Sequence, residues 1–167
     1  IGLRGKYATW AGTILRHDRP VIVLADSDDH EEAVMRLGRI GFDNVAGFLQ
    51  GGVEVLQGQE DKLVQTQRIT AVELENQLSR STAPQVVDVR TAKEYAAGHI
   101  KGSTNLPLND LEDQLTGLPR DRDLVIHCAG GYRSSLAASL LQKHGFSKVA
   151  DLIGGYGAWQ ASTEETS

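Results

Sequence analysis

Residues 124–135 constrain the fold of this chain more than any other stretch. The apolar run 124–127 is typical of a buried strand, and Gly130 and Gly131 follow it closely before a helical pattern of apolar residues begins. Cys128, the only cysteine of the protein, stands where the run ends. The stretch therefore predicts a strand, a tight loop and a helix, and alternation of strands with helices along the chain predicts an α/β fold with a parallel sheet.

The same order of elements occurs twice. Each copy has an apolar strand, an amphipathic helix, a Gly-Phe pair, a second short strand and a Gly-Gly pair. The first copy places them at 21–24, about 31–40, 41–42, 45–49 and 51–52, and the second at 125–128, about 136–141, 145–146, 149–153 and 154–155. The chain is therefore expected to contain an internal repeat.

The two copies differ at the positions that carry chemistry. Cys128 aligns with Leu24 and Arg133 aligns with Asp29, so the first copy lacks both the thiol and the cation and is expected to be inactive. It also lacks a counterpart of residues 69–105. The expected organisation is a truncated module over 1–57, a polar linker over 58–67, a complete module over 68–162 and a tail over 163–167.

The position of Cys128 favours a nucleophilic thiolate. Inward-facing N–H groups of a loop and the N-terminus of a following helix stabilise a negative sulfur. Gly130 and Gly131 let the backbone curl closely around that sulfur, and Arg133 adds a fixed positive charge. The alternative interpretation is a buried, inert strand cysteine, which the glycines and the arginine at this spacing disfavour.

Two stretches resemble the signatures of the rhodanese family of sulfurtransferases. The run 128–133 is similar to the active-site loop of that family, and residues 86–107 are similar to its other signature. The residues that match the second signature are Asp88, Arg90, Glu94, Gly98, His99, Ile100, Gly102 and Asn105. The resemblance implies a rhodanese-like parallel sheet with helices on both faces, with two modules of which the first is truncated.

The resemblance also implies a reaction. The Cys128 thiolate attacks the sulfane sulfur of thiosulfate or a persulfide and becomes a persulfide, from which a thiol or cyanide takes the sulfur. This is covalent catalysis in two half-reactions, without a cofactor or a metal. The expected substrate-binding residues are Ala129, Gly130, Gly131, Tyr132, Arg133 and Ser134. The alternative is a sulfur carrier or interaction module with little turnover.

Loop length separates this chemistry from a related one. Four residues lie between Cys128 and Arg133, one fewer than in cell-cycle phosphatases of related fold. The smaller cradle suits a sulfur atom better than a phosphoryl group. Phosphatase or arsenate reductase activity is therefore the less favoured alternative.

Several polar residues are expected to support the site rather than to react. Asp88, Arg90, Glu94 and His99 are interpreted as an ion-pair and hydrogen-bond network that holds the loop after a strand, in preference to a metal or acid–base site. His127 alternates with Cys128 along its strand and is expected to face the opposite side of the sheet.

Further candidates each carry a second interpretation. Arg133 is expected to face an anionic ligand, with a structural ion pair as the alternative. Tyr132 is expected at the mouth of the pocket, with a merely exposed aromatic side chain as the alternative. Acidic residues at 26, 28 and 29 suit a helix N-terminus without any metal.

Composition and charge narrow the class of partner. The chain is 40% hydrophobic and 23% charged, as soluble globular proteins are, and its net charge of −5 argues against nucleic acid as the main partner. No apolar run approaches the ~20 residues of a membrane span, and no signal peptide opens the chain. A single cysteine fits a reducing compartment, so a cytoplasmic location is expected.

The beginning of the sequence suggests a larger protein. The first residue is Ile1 rather than Met, so the chain is expected to be a piece of a longer polypeptide. Residues 7–12 and the tandem arrangement resemble the C-terminal part of fusions in which a metallo-β-lactamase-fold persulfide dioxygenase precedes rhodanese modules. The resemblance implies such a domain upstream as a partner.

Overall fold

The structure is a computed structural model, and it describes residues 1–59, 61 and 63–164. By its internal contacts the chain divides into two compact units, residues 1–65 and residues 66–167. None of the helices in the described ranges has the length and apolar character that crossing a bilayer requires.

The first unit contains two helices and two strands. Its elements are α1 (Tyr7–Ile14), β1 (Val21–Val23), a 3₁₀ turn (Ser27–Asp29), α2 (His30–Gly38), β2 (Val45–Phe48) and a 3₁₀ helix (Gly52–Leu56). Strands β1 and β2 pair in parallel. Tyr7 and Ala11 of α1 and Leu37 of α2 pack with Phe42 in a small apolar core beside these strands.

The second unit is built on a five-stranded parallel sheet. Its strands are β3 (Gln67–Ile69), β4 (Gln85–Asp88), β5 (Thr104–Asn105), β6 (Leu124–His127) and β7 (Val149–Leu152), in the order β3-β7-β6-β4-β5. Every residue of the central strand β6 is buried, which is why its sequence is an unbroken apolar run up to His127.

The second unit has four described α-helices: α3 (Ala71–Leu78), α4 (Ala92–Ala97), α5 (Tyr132–Lys143) and α6 (Gly155–Glu164). Two 3₁₀ helices, Leu108–Asp110 and Glu112–Gly117, lie between β5 and β6. Leu74 of α3 and Trp159 of α6 pack with Val86 and Val125 on one face of the sheet. Helix α5 contacts β6 and β7, and strand alternation places Ile126 toward it. The predicted α/β class, with a parallel sheet flanked by helices, is confirmed.

The boundaries of the second unit differ in detail from the sequence expectation. Strand β3 begins at Gln67, the last residue of the stretch expected to be linker. The sequence did not indicate this strand because three residues at a sheet edge are too few to show a periodic pattern. Helix α6 extends to Glu164, so the first two residues of the expected tail are helical. The remaining tail residues, 165–167, lie outside the described residues.

The two units share backbone conformation at matching glycines. Gly51 and Gly52 have φ of 83° and 59°, and Gly154 and Gly155 have φ of 71° and 58°. A Cβ on Gly52 would lie 3.2 Å from the carbonyl oxygen of Ala25, just beyond the end of β1. A Cβ on Gly155 would lie 2.9 Å from the carbonyl oxygen of Ala129, the residue that aligns with Ala25, and would also overlap the carbonyl oxygen of Cys128. The same left-handed pair therefore approaches the same strand-end carbonyl in each unit.

Candidate active site

Cys128 is the first residue after β6, at the carboxyl end of the sheet. The residue is 2% exposed. Its Sγ accepts a hydrogen bond from the N–H of Gly131 at 3.1 Å, and the hydroxyl of Ser134 lies 3.7 Å away. Both groups come from the loop and the first turn of α5, so the sulfur faces hydrogen-bond donors at a helix N-terminus rather than apolar side chains alone.

The loop around the sulfur is held from behind by α6. The carbonyl of Cys128 accepts from the N–H of Tyr156 at 2.7 Å, and the carbonyl of Ala129 accepts from the N–H of Gly157 at 3.1 Å. A trans peptide directs its N–H opposite to its carbonyl, so the N–H groups of Ala129 and Gly130 point away from α6. The first turn of α6 thus fixes the orientation of the loop.

Gly155 makes this close approach possible. Besides the overlap with the Cys128 carbonyl, a Cβ there would lie 2.9 Å from the carbonyl carbon of Ala129, and its φ of 58° disfavours any side chain. In the sequence, Gly155 is distinguished only as part of the repeat. The contribution of α6 to the site was missed because it depends on contacts about 27 residues from the cysteine.

The six expected substrate-binding residues form one continuous loop and helix start. Ala129 and Gly130 are exposed, while Gly131, Tyr132 and Arg133 are half-buried. Ser134 is fully buried.

Arg133 makes a two-pronged ion pair with Glu94. Its Nη1 donates to Oε2 at 2.8 Å and its Nη2 donates to Oε1 at 2.6 Å. This arginine holds the pKa of Glu94 at about 2, and Glu94 in turn raises the pKa of Arg133. In the structure, Arg133 therefore makes the ion pair that was the alternative interpretation of this residue. Its contact with an anionic ligand stays a prediction.

Glu94 is itself fixed by the start of α4. Its Oε2 accepts from the backbone N–H of Thr91 at 3.0 Å and from the Thr91 hydroxyl at 2.8 Å. The N–H of Glu94 donates back to that hydroxyl, which completes a capping box. The Thr-x-x-Glu spacing of residues 91–94 is the sequence signal for such a box.

Asp88 and Arg90 form a buried ion pair beyond β4. Arg90 Nη2 donates to Asp88 Oδ2 at 2.7 Å and to the carbonyl of Gly98 at 2.6 Å. The guanidinium also stacks 4.2 Å from the ring centre of Tyr156 in α6. Asn105 donates to the carbonyls of both Asp88 and Arg90. This network ties the segment after β4 to the helix that holds the cysteine loop.

The two histidines occupy different environments. His99 is exposed and stacks on Tyr95 at 4.0 Å between ring centres. His127 is fully buried beside Asp88, with Nε2 3.6 Å from Oδ2. Burial lowers the pKa of His127, so it is neutral near physiological pH.

The acidic segment before α2 makes an ion pair and a ring contact. Asp29 pairs with Arg4 at 2.9 Å, and the ring of His30 lies 4.4 Å from that of Phe48. Across residues 1–59, 61 and 63–164, no three side chains of the His, Cys, Asp or Glu type come together as a metal site would require.

Comparison with known proteins points to one family. The family described as "Rhodanese-like domain" matches residues 70–162. Thiosulfate sulfurtransferase GlpE of Ectopseudomonas mendocina is 40% identical over 83 residues, which are 50% of this chain and 76% of GlpE. A sulfurtransferase of Allochromatium vinosum is 39% identical over 74 residues, 44% of this chain and 69% of that protein. A solved rhodanese-like domain protein from Staphylococcus aureus is 35% identical, with a TM-score of 0.54 over 56% of this chain and 91% of that one.

Proposed function

The chain belongs to the rhodanese-like domain family, and from this premise we propose that its second unit transfers a sulfane sulfur from thiosulfate or a persulfide to a thiol or cyanide. One observation supports this above all others. Cys128 lies at the carboxyl end of β6, with the N–H of Gly131 3.1 Å from its sulfur. The relatives named as sulfurtransferases support the same class of reaction.

The reaction proceeds in two displacements at sulfur. The Cys128 thiolate attacks the outer sulfur of thiosulfate, a new S–S bond forms, and sulfite leaves with the electron pair of the old S–S bond. Cyanide then attacks the terminal sulfur of the Cys128 persulfide through carbon. Thiocyanate departs, and the electron pair returns to Cys128 as thiolate.

The chain stabilises negative charge at each stage. The N–H of Gly131 and the hydroxyl of Ser134 are donors that face the sulfur, and the N-terminus of α5 adds positive potential. Arg133 lies near the same sulfur, and part of its positive charge is offset by its ion pair with Glu94. The four-residue spacing from Cys128 to Arg133 suits a single added sulfur better than a phosphoryl group.

We also propose that the first unit is a partial copy of the same module without activity. Leu24 follows β1 as Cys128 follows β6, and Asp29 has the place of Arg133. At the two positions that match Cys128 and Arg133, this unit therefore has neither a thiol nor a cation, and Asp29 is paired with Arg4. The matching glycine angles support a common origin for the two arrangements.

The experiment that tests the main proposal is thiocyanate release from thiosulfate and cyanide. We expect steady turnover with ping-pong kinetics, abolished in Cys128→Ser. As a matched control, a Cys128→Ser and Ser139→Cys variant moves the thiol to the exposed side of α5, and it should also be inactive. A stable gain of one sulfur by mass spectrometry without turnover would establish the carrier function instead, and turnover in the relocated-thiol variant would contradict the proposal.

A further inference from the structure

A buried histidine stands next to the cysteine and takes no part in the proposed displacements. His127 is the last residue of β6 and is fully buried. Its ring centre lies 6.2 Å from that of Tyr156 in α6. Each ring nitrogen lies beside an oxygen atom: Nδ1 is 3.3 Å from the carbonyl oxygen of Cys128, and Nε2 is 3.6 Å from Oδ2 of Asp88. The ring is therefore placed between two hydrogen-bond acceptors.

A neutral imidazole has only one N–H to give to these acceptors. Burial lowers the pKa of His127, so the neutral ring is the form to consider. A hydrogen on Nε2 would leave the lone pair of Nδ1 against the Cys128 carbonyl oxygen at 3.3 Å. A hydrogen on Nδ1 turns that contact into a hydrogen bond and leaves Nε2 bare, at a distance from Asp88 that is too long for one. The shorter contact therefore favours the Nδ1–H tautomer.

Asp88 does not need the histidine as a donor. Its Oδ1 accepts from the backbone N–H of Arg90 at 2.9 Å and from Nε of that residue at 3.0 Å. Its Oδ2 accepts from Nε at 3.0 Å and from Nη2 at 2.7 Å. The guanidinium thus compensates the charge of the carboxylate. Among the described residues, no hydrogen bond reaches Nε2 of His127, which agrees with a bare Nε2.

The Cys128 carbonyl belongs to the first peptide of the loop around the sulfur. It accepts from the N–H of Tyr156 at 2.7 Å, and its oxygen has a second lone pair for the N–H of His127. The same trans peptide carries the N–H of Ala129 on the opposite side. Two donors hold the plane of this peptide more firmly than one, and hydrogen bonds to its carbonyl polarise its N–H.

We propose that His127 is a positioning residue that donates its Nδ1–H to the carbonyl of Cys128 and thereby fixes the first peptide of the loop that holds the sulfur. The inference rests on the proposed function of Cys128 as the reacting thiolate. His127 touches no reacting atom, because its side chain and that of Cys128 alternate across the sheet. It acts on the sulfur through the backbone that the two residues share.

The tautomer can be measured directly on the full wild-type chain. Two-dimensional ¹H–¹⁵N spectra that correlate the ring C–H groups with both ring nitrogens distinguish a protonated nitrogen from a bare one. The chain has five histidines, so His127→Asn identifies the signal of His127 by its disappearance. At neutral pH we expect a protonated Nδ1 and a bare Nε2. A hydrogen on Nε2, or on both nitrogens, would overturn the proposal.

Two amide substitutions separate positioning from packing. The side-chain nitrogen of Asn can take the place of Nδ1, whereas that of Gln can take the place of Nε2. The readout is the ultraviolet absorbance of the Cys128 thiolate across pH, without any sulfur donor. Because Cys128 is the only cysteine, Cys128→Ser gives the blank.

The two variants should differ in a fixed order. We expect His127→Gln to lower the thiolate fraction about fivefold at a pH where the wild-type thiol is partly ionised, since a displaced loop moves the N–H of Gly131 away from the sulfur. His127→Asn should stay within about twofold of the wild type. If only packing mattered, Gln would be the better substitute, because its volume is closer to that of His. Equal losses, the reverse order or no loss in either variant would overturn the proposal.

These measurements stand apart from the sulfur-transfer assay. Neither needs thiosulfate or cyanide, so absence of turnover together with the expected tautomer and the expected order would overturn the proposed function alone. Intact turnover with a hydrogen on Nε2 would overturn the positioning role alone. Far-ultraviolet circular dichroism verifies that each variant is folded, and the wild-type spectrum tests the proposal without any substitution.

Discussion

At the scale of single residues, Glu94 connects the pieces of the candidate site. It accepts from the backbone of Thr91 at the start of α4 and from the guanidinium of Arg133 in α5. The pKa of Glu94 lies at about 2, below its ordinary value of 4.5, chiefly because of Arg133. A carboxyl with a lowered folded-state pKa contributes stability above its unfolded pKa, and that stability is lost as pH falls toward the folded value.

The first prediction follows from the lowered pKa of Glu94. Glu94→Gln should lower the free energy of unfolding by about 1 kcal/mol at neutral pH, a modest figure because solvent screens a carboxylate that is 36% exposed. The difference should shrink as pH falls from about 4.5 toward about 2. Urea denaturation at a series of pH values measures it. Glu73→Gln, which removes a similar cap without an arginine, is the control and should show a smaller effect; a loss independent of pH would contradict the argument.

Two glycines of α6 provide the second prediction. Gly155→Ala should reduce thiocyanate release at least tenfold and destabilise the fold by roughly 2 kcal/mol or more, since its Cβ would displace the Cys128 carbonyl and its φ is positive. Gly157→Ala is the matched control. A Cβ there would meet the Ala129 oxygen at 3.5 Å, an ordinary contact in a helix. Equal effects of the two substitutions on turnover would show that the loop is not held in this way.

At the scale of elements, the two capping boxes allow stability to be separated from activity. Thr70 and Glu73 cap α3, away from the cysteine, whereas Thr91 and Glu94 cap α4 and orient the partner of Arg133. The third prediction is that Thr70→Ala and Thr91→Ala each cost about 1 kcal/mol of stability. Only Thr91→Ala should also impair sulfur transfer. Urea denaturation measures the loss of stability, and the thiocyanate assay measures sulfur transfer. Impaired transfer in Thr70→Ala would contradict the prediction that only the cap of α4 affects activity.

The elements also show what the sequence could predict and what it could not. The unbroken apolar run of β6 and the glycines after it identified the strand, the loop and the position of Cys128, because those signals are local. Strand β3 was missed because three residues at a sheet edge leave too short a pattern. The hydrogen bonds from α6 to the loop join segments that are distant in the sequence, and such contacts leave no signal in neighbouring residues.

At the scale of the whole molecule, the second unit has its own sheet and its own apolar core, and the family match lies within it. The fourth prediction is therefore that a fragment of residues 66–167 folds and keeps most of the turnover of the full chain. Circular dichroism and the thiocyanate assay on the two proteins provide the comparison. A fragment that folds but loses turnover would show that the first unit contributes to the reaction.

The fifth prediction concerns the first unit. Placing a cysteine at Leu24 in a Cys128→Ser background should give no sulfur transfer, because Leu24 is 47% exposed and the segment that follows it carries Asp29, paired with Arg4, in place of an arginine. The thiocyanate assay tests this, with reaction of the new thiol toward a disulfide reagent as proof that it is accessible. Clear turnover would contradict the proposal that this unit is inactive.

Cys128 is buried and is the only cysteine in the sequence. Both features affect how long a sulfur atom would stay bound to it. In the proposed persulfide form, these 167 residues hold no second thiol that could displace hydrosulfide and form a disulfide with Cys128. In the proposed reaction, the acceptor must therefore bring its own nucleophile, and that nucleophile must be small or extended enough to reach a nearly enclosed sulfur atom. The lifetime of the proposed persulfide would therefore be set by the rate at which such an acceptor reaches the bound sulfur.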